Sequence, residues 1–320
     1  MHERSRIFVA GHLGLVGSAV CSLLQARGFE SLITRTRADL DLTNQSATAA
    51  FFESEKPEVV ILAAARVGGI LANSTYPAEF IAQNLAIQSN VIDSAWRNGI
   101  KQLLFLGSSC IYPKLAPQPI HETHLLTGEL ESSNRPYAVA KIAGIEMCWA
   151  YNRQYGTRYL AVMPNNLYGP GDNYDLATSH VLPALLRKAH EAKCSSAAHL
   201  SVWGTGTPQR EFLYSADLAD ACVYLLTAEG GRLDSLFSEA HAPLINIGSG
   251  EEVSIRRLAE MIQAVVGFDG PIEWDSSKPD GTPRKWVDMG RLQALGWQAK
   301  TPLEQGLGQA YADFLARYEV

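Results

Sequence analysis

Short apolar runs alternate along this chain with longer stretches in which apolar residues recur every three or four positions. In the first half the runs fall at 7–10, 31–34, 59–63, 102–106 and 159–163. Their length and apolar character read as strands. Helical patterning lies between them, for instance over 77–98 and 136–155. This alternation predicts an α/β fold, a doubly wound parallel sheet with helices on both faces. Such sheets bind ligands outside the carboxyl ends of their strands.

After Tyr168-Gly-Pro-Gly171 the pattern becomes irregular and richer in Pro and Trp. A helix over 215–227 and a strand over 244–247 look sheet-like again. The expected division is a larger unit from 1–168 plus about 215–248, and a smaller α/β lobe from about 169–214 plus 249–320. The stretch 229–242 reads as a variable surface loop. There is no internal repeat and no low-complexity tract.

Composition narrows the partners. The chain has 320 residues, 47% of them hydrophobic, ample for a sizeable core. The net charge of -6 and the lack of a long basic run argue against nucleic acid and anionic membrane as partners. The five cysteines are odd in number, scattered and without a CxxC pair, so neither a disulfide framework nor a metal site is expected, and a reducing cytoplasm fits. No apolar stretch has the length of a signal peptide or membrane span.

Gly11-His12-Leu13-Gly14-Leu15-Val16-Gly17 follows the first strand and opens a helix. Glycines there permit a tight turn and let the backbone approach a pyrophosphate at the helix N-terminus. The bland alternative is a plain Gly-rich turn. At the tip of the second strand, where an Asp or Glu would take the ribose hydroxyls of NAD, stand Arg35 and Arg37. Guanidinium groups suit a phosphate, so the expected cofactor is NADP(H). Asp39 and Asp41 follow and leave an NAD-like contact open.

Ser108 lies at a strand end, and Tyr137 and Lys141 stand four residues apart on one helix face. A serine holding a carbonyl oxygen, beside a phenol whose tyrosinate a lysine favours, is equipment for hydride transfer at a carbonyl. Cys110 is unusual there, because ketone reduction needs no thiol. A small buried residue is the common fate of a free cysteine. Beside Ser108 it is instead a candidate base, its pKa lowered by Lys141 or by the nicotinamide ring. His180, just before a helix, is either a capping residue or an acid–base group facing the same pocket. In the second lobe Lys188, Trp203, Arg210 and the 278–285 run are either solvated loop charges or a cradle for a diphosphate and a nucleobase.

Together these residues resemble the extended short-chain dehydrogenase/reductase superfamily, and within it the family of GDP-L-fucose synthases. The segments that carry it include Ala63-Ala-Ala-Arg-Val-Gly-Gly-Ile70, Leu106-Gly-Ser-Ser-Cys-Ile-Tyr-Pro-Lys114, Met163-Pro-Asn-Asn-Leu-Tyr-Gly-Pro170 and Lys278-Pro-Asp-Gly-Thr-Pro-Arg-Lys285, of which the runs ending at Lys114 and Lys285 are the selective ones. The resemblance implies a Rossmann-type sheet, a catalytic set of Ser108, Tyr137 and Lys141, and an epimerising acid–base pair of Cys110 and His180. It implies cofactor contacts at the 11–17 loop, from Arg37 through Asp41 and Leu42, at Leu106, Gly107 and Ser109, at Lys141, and at Pro164, Asn165, Asn166 and Leu167. It implies GDP-sugar contacts at Lys188, Trp203, Arg210 and Asp280. Three positions depart from the pattern. Leu13 stands where Arg is expected, leaving Arg35 and Arg37 for the 2′-phosphate. Lys188 replaces Arg, which keeps charge but loses a bidentate fork. Asn165 replaces Thr.

The implied reaction is 3,5-epimerisation and NADPH-dependent 4-reduction of GDP-4-dehydro-6-deoxy-D-mannose to GDP-L-fucose. The nearest rival is a related epimerase/reductase acting on a 3,6-dideoxy (colitose-type) or heptose GDP-sugar. A rival of another class is a non-catalytic NADP-binding regulator on the same fold. The superfamily also implies a homodimer formed through helices 77–98 and 136–155.

Overall fold

In a computed structural model the chain is described over residues 1–318, apart from Gly230, Glu239 and Pro279. The 229–242 loop and the 278–285 run each include positions that lie outside the described residues.

The strands of the chain are β1 (Ile7–Ala10), β2 (Leu32–Ile33), β3 (Val59–Leu62), β4 (Gln102–Leu106), β5 (Arg158–Pro164), β6 (Asn166–Tyr168), β7 (Leu200–Trp203), β8 (Gln209–Tyr214), β9 (Leu244–Ile247), β10 (Glu252–Ser254), β11 (Ile272–Asp275) and β12 (Arg284–Lys285). The helices are α1 (Leu15–Ala26), α2 (Gln45–Glu55), α3 (Ile70–Thr75), α4 (Pro77–Arg97), α5 (Arg135–Tyr155), α6 (Val181–Cys194), α7 (Ser215–Thr227), α8 (Ile255–Val266), α9 (Gly290–Ala294) and α10 (Leu303–Tyr318).

Six parallel strands form the main sheet in the order β2-β1-β3-β4-β5-β9. Every residue of β1 and β3 is buried, as an inner strand covered on both faces requires, and so is every residue of the edge strand β9. Helices α1 and α7 pack together, and α4 lies along α5. The expected strand over 31–34 shrinks to Leu32–Ile33, an edge strand with only β1 to pair against. Helix α5 begins at Arg135, with Pro136 in its first turn, where a missing N–H costs nothing. It stops at Gly156, whose φ of 63° ends it in the left-handed region.

The second half departs from strict alternation because its strands belong to other sheets. In one of them β8 is central, antiparallel to β10 and parallel to β12 and β6. β7 and β11 form a parallel pair. Helices α6, α8 and α10 cover these strands with a second apolar cluster that includes Leu186, Leu258, Ile262 and Leu307. The first cluster fills the main sheet. Five of its members, Leu213, Val287, Met289, Leu292 and Trp297, come from the stretches assigned above to the smaller lobe. The 229–242 stretch is not wholly surface loop: a short turn at Asp234–Leu236 buries Leu233 and Leu236 against the main core. Among the described residues no helix is long and apolar enough to cross a membrane.

Candidate active site

The carboxyl ends of β1, β3, β4 and β5 open onto one cleft edge. At β1 the chain turns through Gly11, with φ at 87°, and enters α1 at Gly14, which supplies no side-chain cap. A Cβ on Gly11 would stand 2.7 Å from the Ala64 nitrogen, and one on Gly17 would stand 2.1 Å from the Gly11 oxygen. The turn is therefore closed down onto the end of β3, and the first amides of α1 are left for a ligand. His12 Nδ1 is buried there without a partner. Open helix amides, a glycine cradle and an orphaned ring nitrogen fit a dinucleotide pyrophosphate. Leu13, Leu15 and Val16 line the same turn, and Leu13 projects into solvent.

The two arginines after β2 differ. Arg35 is ion-paired to Glu55, donates to the Thr34 carbonyl and lies over the Phe51 ring. Arg37 is 71% exposed and reaches Asp41 only at 3.9 Å, so it is the freer of the two for a phosphate. Leu42 is buried in the core beside this turn.

At the end of β4, Gly107 packs against Met163, leaving no room for a Cβ. Ser108 then starts a short turn, its Oγ accepting from the Cys110 amide at 3.3 Å. Ser109 faces inward and donates to Asn165 Oδ1 at 3.2 Å. Pro164, Asn165, Asn166 and Leu167 carry the chain from β5 into β6, and Asn166 donates to the Glu211 carbonyl. Helix α5 brings Tyr137 and Lys141 to this place. Lys141 is buried, donates to the Leu106 carbonyl at 2.6 Å and lies 5.9 Å from the Tyr137 ring centroid.

The electrostatics correct two expectations. Burial pushes the Tyr137 phenol up, Cys110 pushes it further, and a hydrogen bond with Ser108 pulls it back only in part. Lys141 does not promote the tyrosinate. Burial holds its own pKa down at about 7, and its ammonium is spent on the Leu106 carbonyl. Tyr137 is therefore a protonated acid at neutral pH. Nor does Lys141 acidify Cys110. Burial raises that thiol, but the Lys285 charge and hydrogen bonds involving Ser108, Lys285 and Asn134 outweigh it and bring it below its ordinary value. Lys285 Nζ donates to Cys110 Sγ at 3.4 Å.

His180 precedes α6. It is exposed, and desolvation first and the Lys285 charge second depress its pKa. Ser108, Cys110, Tyr137 and Lys141 thus gather in one cleft, and His180 shares the field of Lys285 with Cys110. Around them, Asn134 Oδ1, Ser179 Oγ and Trp286 Nε1 are buried polar atoms with no partner, as expected of groups waiting for a polar ligand.

The GDP-sugar candidates form a second cluster. Lys188 on α6 lies 5.1 Å from the Trp203 ring centroid, and Lys278 lies 5.5 Å from it. Asp280 accepts from the Thr205 amide and hydroxyl at 3.0 and 2.8 Å, which pins the loop after β7. Arg210 sits on β8; burial lowers its pKa, and the Asp280 charge offsets this in part. Strand pairing joins the two clusters: Lys285 on β12 stands in register with Arg210 on β8.

Asn134 was not singled out from sequence, and Lys278, Lys285 and Glu211 entered only within runs offered as a diphosphate cradle. The 278–285 run was visible as a signal. Its contact with a thiol 175 positions away was not.

Residues 7–236 match the NAD dependent epimerase/dehydratase family. GDP-L-fucose synthase 1 of Arabidopsis thaliana is 57% identical over 98% of this chain and 94% of its own length. GDP-L-fucose synthase of Escherichia coli (strain K12) is 51% identical over 98% of this chain and 97% of its own length. Among solved structures, MlghC, a GDP-mannoheptose C4 reductase from Campylobacter jejuni with NADP bound, superposes with a TM-score of 0.91 at 40% identity, covering 98% of this chain and 99% of that one. The chain belongs to the NAD dependent epimerase/dehydratase family, on its GDP-L-fucose synthase branch.

Proposed function

We propose that this chain converts GDP-4-dehydro-6-deoxy-D-mannose to GDP-L-fucose, inverting C3 and C5 and then reducing C4. The larger unit holds NADP(H) by the 11–17 turn, Arg37, the 106–109 strand end, Lys141 and the 164–167 segment. The smaller lobe holds the GDP-sugar by Lys188, Trp203, Arg210 and Asp280. When bound, the cofactor supplies hydride to the C4 ketone.

The C4 carbonyl acidifies the protons on C3 and C5. Cys110, as thiolate, removes one of these protons, and Ser108 and Tyr137 steady the enolate oxygen by hydrogen bonds. His180 returns a proton from the opposite face, which inverts the centre. After the second inversion Tyr137 gives its proton to the oxygen at C4. Its raised pKa suits that duty, because an acid must be protonated before it can act. Lys141, half neutral near pH 7, regains full charge next to an anionic partner.

The observation that carries this reading is the thiol: Cys110 stands beside the Ser108–Tyr137 pair and is acidified by Lys285. A simple ketone reductase has no use for it. The test is a paired assay with purified protein, GDP-4-dehydro-6-deoxy-D-mannose and NADPH or NADH. Cofactor oxidation with GDP-L-fucose as product supports the reading. Tight NADPH binding without oxidation overturns the substrate assignment, and a colitose-type or heptose GDP-sugar then becomes the substrate to try.

Two copies of the chain pair through α4 and α5, which lie side by side and carry an aromatic cluster in which Trp96 stacks on Tyr155 and meets Tyr151 edge-on. Light scattering of the purified protein decides between dimer and monomer. All five cysteines are free, which suits a reducing cytoplasm.

A further inference from the structure

Inverting two centres with one acid–base pair leaves that pair in the wrong state halfway through. After the first inversion Cys110 carries the proton taken from the sugar, and His180 has given its proton away. The second inversion needs a thiolate and an imidazolium again. A step must therefore reset both groups while the sugar stays bound.

Next to Cys110 the structure holds a cavity of about 50 Å³ with room for water, lined by Asn134, Glu131, Lys114, Thr282, Arg284 and Lys285 among others. A water needs roughly 10–15 Å³ of such space and two to four polar partners, so this site is roomy and polar enough for more than one. Lys285 is half-buried at its edge, 3.4 Å from Cys110 Sγ. The outer wall carries the Lys114–Glu131 ion pair at 3.0 Å, and Arg284 is held by Glu252. The cavity therefore has charged and polar walls, and Cys110 is one of its lining residues.

We propose that Lys285 and this cavity reset the acid–base pair between the two inversions. The S–H bond of Cys110 breaks, the electron pair stays on Sγ beside the Lys285 ammonium, and the proton passes to cavity water. A water proton then reaches the ring nitrogen of His180, so no charge is gained or lost. Lys285 acts through Cys110 rather than on the sugar, and is a positioning residue. Its field stabilises the thiolate, the reset product it touches; the same charge holds the His180 pKa down, so the imidazolium, once formed, gives up its proton readily. The proposal rests on the epimerase reading above.

The test has two arms. In the first, alkylation of Cys110 by iodoacetamide is followed against pH by peptide mass spectrometry in the wild type, Lys285→Met and Lys285→Arg, without substrate. NADPH binding confirms that each variant is folded. In the second, the keto-sugar is turned over in D2O and the product is sorted into molecules inverted at one centre and at two, by their carbon-bound deuterium. Lys285→Met should raise the alkylation midpoint and lower the Cys110 rate at pH 7 by about tenfold. It should also raise the singly inverted share several-fold, and Lys285→Arg should restore both. An unmoved midpoint overturns the proposal even in an active enzyme. So does a moved midpoint with the wild-type product ratio. A moved midpoint with no solvent deuterium at C3 or C5 in the wild type overturns the epimerase reading itself, and the reset role with it.

Discussion

The side-chain amide of Asn165 donates to the buried carboxylate of Glu211 at 2.7 Å, while its oxygen accepts from Ser109. Glu211 also accepts from the Gly250 amide at 2.8 Å and the Val287 amide at 3.3 Å. One carboxylate thus ties the strand end carrying Ser108 and Cys110 to the strand carrying Lys285, through groups far apart in sequence. A buried acceptor of this kind is costly to remove, because each donor it served loses its partner.

Glu211→Ala should therefore destabilise the chain by about 2–4 kcal/mol in urea unfolding. Glu211→Gln keeps the shape and one acceptor and should lose less. Equal losses for the two variants would mean that packing, not hydrogen bonding, sets the cost.

Cys110→Ser removes the base but keeps the size of the side chain. Solvent deuterium should no longer enter C3 and C5, while NADPH binding stays as in the wild type. Undiminished exchange would remove Cys110 from the mechanism.

Tyr137→Phe deletes the proton donor to C4. NADPH oxidation should fall by about 10²–10⁴-fold, the usual worth of a positioned acid. Exchange at C3 and C5 should survive at a reduced rate, since Ser108 still holds the enolate oxygen. Mass spectrometry of unreduced sugar recovered from D2O measures this.

Asp172 is buried, and its Oδ2 has no partner. Burial pushes its pKa up to about 7, against the smaller opposing effects of the Asn173 amide and Arg317. A folded-state pKa above the unfolded one gives a contribution that is full below pH 4 and lost as pH rises through 7. Asp172→Asn should accordingly gain about 1–3 kcal/mol over the wild type at pH 8, and the gain should shrink toward zero near pH 4. Urea titrations at both pH values make the comparison.

Much of the larger unit could be read from local patterning. The apolar runs at 7–10, 59–62 and 102–106 are strands because each is buried on both faces, and continuous apolarity is what that burial demands. The glycine turn at 11–17 and the Tyr137–Lys141 spacing were legible for the same reason: both are set within a few residues by backbone sterics and helix pitch. The edge strand at Leu32–Ile33 was overestimated because strand length there depends on a partner, not on the run itself.

The electrostatic partners were decided only by tertiary structure. Sequence proximity pointed to Lys141 as the cation for Tyr137, and to Lys141 or the nicotinamide ring for Cys110. The fold instead buries Lys141 on the Leu106 carbonyl and brings Lys285 to the thiol through the pairing of β12 with β8. A pKa follows distance and desolvation in three dimensions, and neither is encoded by spacing along the chain. The sequence by itself determined which chemical groups are present and which of them share an element. Which cation meets which acid came from strands that pair across long separations, where register and burial set the contact.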